Sequence, residues 1–414
     1  MNGVHGCAPL GSLPVDLRDS DAEAAFRTTL RAWLMDALPT LSSPPSPDDW
    51  PARRVHDTAW QRRLFEEGYA GIDWPAEYGG RGASPTEHLI FLEEIERAGA
   101  PELGVNYVGQ NHAGPTIAAE GTDEQRAFHL RRILTGEHVW CQGFSEPSSG
   151  SDLASLRTRA IDDGDSYVLS GQKIWTSNGH VADYCEILVR TDPDVAKHKG
   201  ITWLIMAMDS PGIDVRPLRT IAGSTEFCEM FLDEVRVPKT NRVGAENDGW
   251  RVGNVTLSFE RGTGLVREVV RSVEIVRQLA ELARRLPRDA GMAWDDVGTR
   301  RELGYVAADL DAIWALARRN IAVGMRTGSF GFSGSVLKAR YGDVLHRMAD
   351  VIMRVLDRSG LSLDDLGDLS TGRQLDHTFF AFMVSIAGGT TQIQRNIIGE
   401  RVLGLPREPA WPSI

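Results

Sequence analysis

The sequence predicts an α+β protein of three domains, in the order helices, strands, helices. Apolar residues recur at helical spacing near both ends of the chain, whereas short β-rich runs fill its middle. A length of 414 residues is ample for several domains. We therefore expect an N-terminal all-α domain at 1–138, a central antiparallel β-barrel or sandwich at 139–245, and a C-terminal four-helix bundle at 246–414.

Two capping boxes mark helix starts in the N-terminal domain. Ser84 stands three residues before Glu87, and Thr122 stands three residues before Gln125, so each hydroxyl can cap a helix whose third residue bonds back to it. The Pro- and Ser-rich segment 41–51 interrupts the helical pattern and predicts a loop.

Strand patterns fill the central domain, and helical patterns return after it. No helix-length pattern separates the β-rich runs, which favours antiparallel strands over βαβ units. These runs lie at 166–171, 172–177, 184–190, 201–208 and 226–237. The helices expected for the bundle lie at about 250–286, 301–325, 334–358 and 373–402.

Composition and charge exclude several classes of protein. The 45 basic and 57 acidic residues give a net charge of −12, which disfavours binding to nucleic acid or to an anionic membrane. No apolar stretch approaches about 18 residues and no secretory signal is visible, so we expect a cytoplasmic protein without membrane insertion. Neither the four cysteines nor the ten histidines show metal-ligand spacing, and no metal site is predicted.

The first candidate site is the segment GFSEPSSGSD at 143–152, where small hydroxyl residues and glycines surround one glutamate and one aspartate. Serine hydroxyls and exposed backbone N–H groups suit a phosphate or the edge of a heterocycle. The same composition is also typical of a cluster of surface turns, so it leaves both interpretations open.

The second candidate is the run IWTSNG at 174–179. Trp175 offers a flat aromatic face, and Ser177 offers a hydroxyl on the same side of a predicted strand. Such a pair suits a planar cofactor, whereas the alternative is a tryptophan that belongs to the core.

The third candidate is Glu260, which precedes Arg261 in the run TLSFERGTGLV. On a helix, Glu260 shares its face with small and apolar residues, so burial would raise its pKa towards that of a useful general base. The alternative is a solvated glutamate that pairs with Arg267.

Five segments in order closely resemble motifs of the acyl-CoA dehydrogenase family. Together they extend the resemblance over most of residues 20–405, and the family's helix–strand–helix architecture matches the pattern above. The segments are GIDWPAEYGGRG at 71–82, GFSEPSSGSD at 143–152, GQKIWTSNG at 171–179, VRVPKTNRVGAENDGW at 235–250 and AGGTTQIQRNIIGERVLG at 387–404.

The resemblance implies an FAD cofactor between the β domain and the C-terminal helices. The family reaction takes a proton from Cα of an acyl thioester while a hydride leaves Cβ for flavin N5, and it yields a trans-2-enoyl product. Ser151 and Arg261 match positions that line the acyl-CoA channel. The residues that match flavin contacts are Gln142, Phe144, Ser145, Ser151, Trp175, Ser177, Thr390 and Gln392.

The position of the base departs from that of most family members. Most carry a glutamate just before the GTxQIQR stretch, where this sequence has Gly388, and glycine cannot accept a proton. A minority, like isovaleryl-CoA dehydrogenase, place the glutamate immediately before an arginine on the first helix of the C-terminal domain. Glu260 and Arg261 match that arrangement, so the resemblance implies Glu260 as the base. The combination also resembles actinobacterial dehydrogenases of steroid side-chain and branched acyl thioesters.

Two family segments that contact FAD are replaced in this sequence. ARRLPRDAGMAWDD at 283–296 stands where Arg-x-x-Phe-Gly is usual, and LDRSGLSLDDLGDLSTG at 356–372 stands where Gln-x-x-Gly-Gly is usual. The resemblance implies a homotetramer or, with these losses, a mixed tetramer, and electron-transferring flavoprotein as the electron acceptor. The alternatives are a dehydrogenase of acyl-carrier-protein thioesters, a flavin oxidase, or a non-catalytic subunit of a heteromeric dehydrogenase.

Overall fold

The computed structural model describes residues 19–259, 265–327 and 333–407, and the first part of the chain is helical, as predicted. Ser84 and Thr122 close the two predicted capping boxes, and Ser20 closes a third at the start of the first helix. Helices α1 to α5 lie at Asp21–Ala37, Trp50–Glu66, Pro85–Arg97, Gly114–Glu120 and Asp123–Leu134.

The central part of the chain forms one sheet, which contains eight strands in the residues described. The strand order is β6-β7-β3-β2-β4-β5-β8, and β1 pairs with β4. Pairing is antiparallel except beside β4, where β1 and one residue of β2 run parallel to it. Strands β1 to β8 lie at Trp140–Gly143, Arg159–Asp163, Ser166–Ser177, Tyr184–Arg190, Ile201–Ala207, Ile213–Leu218, Phe227–Pro238 and Arg242–Val243.

Long helices form the C-terminal part. Helices α6 to α11 lie at Gly249–Phe259, Leu265–Arg285, Val297–Thr327, Ser333–Leu356, Thr371–Ile386 and Thr391–Ile397. The pattern over 373–402 forms two helices rather than one, because Gly388 and Gly389 have φ of 63° and 88°, and a left-handed residue ends a helix. Among the described helices, we find none of the length and apolarity needed to cross a bilayer.

The segment GIDWPAEYGGRG forms a tight turn around Trp74. A Cβ added at Gly80 would lie 2.4 Å from the carbonyl oxygen of Trp74, and one added at Gly114 would lie 2.0 Å from its ring. The indole Nε1 donates to the carbonyl of Gln110 at 3.1 Å. Only glycine permits such close contacts with Trp74. Through these contacts and the bond to Gln110, the turn holds the chain before α4 in position.

The described residues form two hydrophobic cores, and the larger one holds the three regions together. The larger one joins the helices of both ends to one face of the sheet and includes Trp60 on α2, Trp203 on β5 and Leu310 on α8. The smaller one lies among the strands and includes Met206 and Met230. Because the larger core has members from all three regions, the helical parts and the sheet pack as one body.

Candidate functional site

A buried ion pair holds the loop at 143–152. The Nζ of Lys173, on β3, lies 2.9 Å from Oε1 of Glu146 and donates to the carbonyl of Phe144 at 3.1 Å. The carboxylate of Glu146 also accepts from the backbone N–H groups of Arg157 at 2.6 Å and Thr158 at 2.8 Å. The lysine is fully buried. The carboxylate of Glu146 therefore links the first half of the loop to the residues that follow the loop.

The charge state of Glu146 follows from these contacts. Burial alone would raise the pKa of this carboxyl, but the Lys173 ammonium and the hydrogen bonds from Thr158 and Arg157 outweigh burial and lower it. Glu146 is therefore an anion at neutral pH, and its charge stays paired inside the protein.

A second cation supports the chain just after the loop. The guanidinium of Arg190, on β4, donates to the carbonyls of Ala154 at 2.6 Å, Leu156 at 3.3 Å and Lys197 at 2.7 Å. Ser151 lies exposed between the two supports. The loop thus offers an accessible hydroxyl on a backbone that is held at both ends.

The loop is joined to the strand that carries Trp175. The N–H of Ile174 donates to the carbonyl of Ser145 at 3.0 Å. The pairing of β3 with β7 shifts by one residue between Lys173 and Thr176, which makes a β-bulge. Trp175 lies in this bulge, so the bulge rather than simple strand alternation sets the direction of its side chain.

Trp175 combines an unusual backbone with an exposed ring. Its φ is 61°, and the residue is 57% exposed. A left-handed conformation costs a residue with a Cβ about 1–2 kcal/mol. The ring of Phe227 meets it edge to face, with 6.0 Å between centroids. Strain and an exposed aromatic face at one residue are typical of a binding surface.

The chain beyond Trp175 is also unusual. Asn178 has φ of 57°, and its N–H donates to the carbonyl of Glu226 at 2.9 Å. The hydroxyl of Thr176 is buried and has no hydrogen-bond partner within the described part of the chain. Ser177 is half-buried and pairs with Phe227 across the strands. The structure therefore brings Phe144, Ser145, Trp175 and Ser177 into one neighbourhood.

Gln142 lies directly before the loop, on β1, and contacts buried polar side chains. Its Nε2 donates to Oε1 of Glu186 at 2.7 Å and lies 3.2 Å from Nδ1 of His112. Glu186 is fully buried on β4, opposite Gln142. The Nε2 group of Gln142 therefore already has partners inside the protein. The contact of Gln142 with a cofactor stays a prediction.

Thr390 and Gln392 lie at the start of α11, in the C-terminal part of the chain. The hydroxyl of Thr390 accepts from the N–H of Ile393 at 3.2 Å and caps α11. Nε2 of Gln394 donates to the carbonyl of Gly388 at 3.0 Å, which closes the turn before the helix. Gln392 is exposed. The turn is thus well defined, and its side chains remain available to a ligand.

Glu260 and Arg261 lie outside the described residues. The described chain stops at Phe259, the end of α6, and resumes at Leu265, the start of α7. On α6, the hydroxyl of Thr256 meets that of Thr116 at 2.9 Å and fixes the helix against α4.

Sequence reasoning missed Lys173, Arg190 and Glu186, which hold the site from inside. The sequence gives one indication of the role of Lys173, which is its position in the middle of a β-rich run. A charged residue there must find a partner when the strand is buried, but the sequence does not say which. No group of three or more His, Cys, Asp or Glu side chains suited to a metal occurs within the described ranges.

Three family models match the chain in order. The model for the N-terminal domain of acyl-CoA dehydrogenases matches residues 20–137, the middle-domain model matches 141–235, and the C-terminal-domain model matches 247–403.

Curated relatives match along nearly the whole chain. Acyl-CoA dehydrogenase IpdE1 of Mycobacterium tuberculosis is 38% identical over 397 residues, which cover 92% of this chain and 98% of that protein. Acyl-CoA dehydrogenase FadE26 of the same organism is 37% identical over 355 residues, which cover 83% and 87%.

Solved structures with the same fold are also similar in sequence. The Tcur3481-Tcur3483 steroid ACAD is 29% identical with a TM-score of 0.81, and the match covers 95% of this chain and 100% of that one. The ChsE4-ChsE5 complex from Mycobacterium tuberculosis is 32% identical with a TM-score of 0.80, with the same coverage.

Replacing Lys173 by Met should lower the free energy of unfolding by about 3–5 kcal/mol, because it leaves the buried Glu146 carboxylate without its cation. Urea denaturation would measure the loss. Lys197→Met is the matched control, since Lys197 pairs with Asp152 at 2.6 Å where both side chains are about half exposed. That variant should lose no more than about 1 kcal/mol. Equal losses in the two variants would contradict the role given to the buried pair.

Proposed function

Since the chain belongs to the acyl-CoA dehydrogenase family, whose members are FAD-dependent oxidoreductases that act on CH–CH bonds, we propose that it dehydrogenates an acyl-CoA thioester to the trans-2-enoyl-CoA. Glu260 is the proposed base, which takes the proton from Cα while a hydride leaves Cβ. The observation that carries this proposal is the joint presence of Glu260-Arg261 and of a firmly held loop beside the exposed ring of Trp175.

The assignment of the base is supported by the backbone at position 388. Gly388 has φ of 63°, which a residue with a side chain adopts only at a cost. A glutamate at the usual family position would therefore be strained in this chain. The family resemblance implies Glu260 as the base instead. Replacement of Glu260 tests this assignment directly.

The residues beside the loop fit a flavin. The exposed face of Trp175 suits stacking on a planar ring system, and the hydroxyls of Ser145 and Ser177 suit its polar edge. Bound FAD would accept the hydride. The buried pair of Lys173 and Glu146 then acts as support, since it fixes the loop against the strand of Trp175.

The other predicted site residues differ in how exposed they are. Phe144 is buried, and the side-chain amide of Gln142 donates to Glu186. Thr390 and Gln392 would reach the cofactor from the bundle. The exposed Ser151 suits either the cofactor or the acyl-CoA, and Arg261 is proposed for the acyl-CoA.

Assembly with a second, homologous chain is the alternative that a specific observation favours. Segments 283–296 and 356–372 replace two family motifs that contact FAD, and here Arg285 and Asp368 join these segments through an ion pair at 2.5 Å. The names Tcur3481-Tcur3483 and ChsE4-ChsE5 each join two chains. We propose either a homotetramer or a mixed tetramer, with electron-transferring flavoprotein as acceptor.

The visible spectrum of the protein purified alone, with FAD added and then removed by gel filtration, separates the two assemblies. A homotetramer should keep a flavin spectrum, whereas a mixed assembly should keep it only after co-expression with its partner. Rapid peroxide formation in air would instead favour a flavin oxidase of the same fold over a dehydrogenase.

Trp175→Gly should leave the stability of the apoprotein within about 1 kcal/mol, because glycine relieves the left-handed backbone that the tryptophan strains. Affinity for FAD should fall several-fold, which corresponds to the 0.5–1.5 kcal/mol typical of about one aromatic contact. Fluorescence titration with FAD measures the affinity, and Trp175→Phe serves as the control that keeps a flat ring. Unchanged affinity in the glycine variant would remove Trp175 from the proposed site.

Glu260→Gln should keep bound flavin and lose about 10²-fold or more of the substrate-driven bleaching, because the amide cannot take the proton. Anaerobic stopped-flow absorbance with a panel of acyl-CoAs measures the rate. Glu274→Gln is the control, since Glu274 pairs with Arg277 on the outer face of α7. Undiminished turnover in Glu260→Gln would refute the assignment of the base.

A further inference from the structure

Trp50, the first residue of α2, bridges two segments that lie far apart in the sequence. Its indole Nε1 donates to the hydroxyl of Thr225 at 2.8 Å, and its ring meets the imidazole of His180 edge to face, with 4.9 Å between centroids. Thr225 lies between β6 and β7, whereas His180 follows β3. One side chain of the N-terminal helical part therefore contacts the end of one strand and the approach to another.

Residues next to Trp50 contact the same two segments. The hydroxyl of Thr225, which accepts from Trp50, donates to Oδ1 of Asp48 at 3.2 Å. On the other side, Nη1 of Arg54 donates to the carbonyl of Val181 at 2.6 Å. The start of α2 is thus bonded to both segments, and Trp50 lies between these bonds.

The two segments are also bonded to each other. Nδ1 of His180 lies 3.0 Å from Sγ of Cys228, on β7. The N–H of Asn178 donates to the carbonyl of Glu226 at 2.9 Å. Trp50 therefore covers a junction at which the end of β3 meets the start of β7.

The same segments carry the exposed aromatic face of the candidate site. Trp175 lies five residues before His180, and Phe227 lies two residues after Thr225. The rings of Trp175 and Phe227 meet edge to face, with 6.0 Å between centroids. Any shift of β7 against the end of β3 would therefore change the surroundings of the Trp175 ring.

The backbone of Trp175 depends on support from its surroundings. Its φ of 61° is unfavourable for a residue with a Cβ, and the bulge between Lys173 and Thr176 interrupts the regular pairing of β3 with β7. Beyond the bulge, two residue pairs remain before β3 ends at Ser177. Strand ends open readily, and a strained conformation persists only where neighbouring contacts over-determine it.

We propose that Trp50 is a positioning residue for the cofactor: it holds the end of β3 against the start of β7 and so keeps the ring of Trp175 ready to stack on the flavin. This inference rests on the proposed function. Trp50 is only 6% exposed and offers almost no surface to a ligand, so it acts through His180 and Thr225. Loss of Trp50 weakens FAD binding although every residue that would touch FAD is unchanged.

Titration of the apoprotein with FAD, followed by fluorescence, tests the role of Trp50. Trp50→Leu removes both contacts and should weaken FAD binding several-fold, whereas Thr225→Val removes only the hydroxyl and should give a smaller loss. Trp33→Leu is the control, because Trp33 stacks on Trp60 among the N-terminal helices, with 5.6 Å between centroids. That variant should keep the wild-type affinity even where urea denaturation shows an equal loss of stability.

A double variant distinguishes positioning from a general loss of stability. If Trp50 acts through Trp175, the variant Trp50→Leu/Trp175→Gly should bind FAD about as weakly as Trp175→Gly alone. A purely structural role predicts that the two fold-changes multiply, as they do for independent sites.

Hydrogen exchange of the apoprotein gives a measure that needs neither FAD nor an acyl-CoA. In Thr225→Val, whose new side chain has nearly the shape of threonine, amides within 174–181 and 225–232 should exchange several-fold faster than in the wild-type protein. Amides of β1, at 140–143, should keep the wild-type rate. Thr225→Val also keeps the test decisive if Trp50→Leu does not fold.

Each contrary outcome has a distinct meaning. Wild-type FAD affinity in Trp50→Leu, wild-type exchange rates in Thr225→Val, or fold-changes that multiply in the double variant would overturn the role given to Trp50 and leave the dehydrogenase function standing. A wild-type protein that binds no FAD, alone or with a partner chain, would refute the proposed function and with it a cofactor role for Trp50.

Discussion

The arrangement of the candidate site depends on the ion pair between Lys173 and Glu146. Each charge would be costly to bury alone, so each requires the other, and the carboxylate also takes two backbone N–H groups from the far end of the loop. The lysine stands two residues before Trp175 on the same strand. One interaction therefore sets the distance between the loop hydroxyls and the exposed aromatic face, and the side chains that would touch a cofactor need not hold themselves in place.

Several features near this pair cost folding stability rather than add to it. Trp175 and Asn178 adopt left-handed backbone conformations, and the hydroxyl of Thr176 is buried without a hydrogen-bond partner among the described residues. All three lie at the bulged end of β3 or directly after it. Because the surrounding core is well packed, these local costs are tolerated, and they distinguish the working surface from the scaffold.

The order of helices and strands was predictable from the sequence because hydrophobic period and capping residues are local signals. The boxes at Ser84 and Thr122 form as the pattern requires. The bulge at Trp175 was not predictable, since an extra residue in one strand depends on its register with β7. For the same reason the partner of Lys173 could not be inferred, because a side chain buried in a sheet meets residues that are remote in sequence. The loop and Trp175 were found through composition and family resemblance.

The large core shared by α2, β5 and α8 has a consequence for the history of the chain. Its members come from all three regions, so each region buries part of its apolar surface against the other two. An exchange of one region between related genes would bring together surfaces that had not changed in concert, and the mismatched side chains would leave cavities or clashes at the junction. We therefore expect such a protein to diverge by paired substitutions across the junctions rather than by recombination at the apparent domain boundaries.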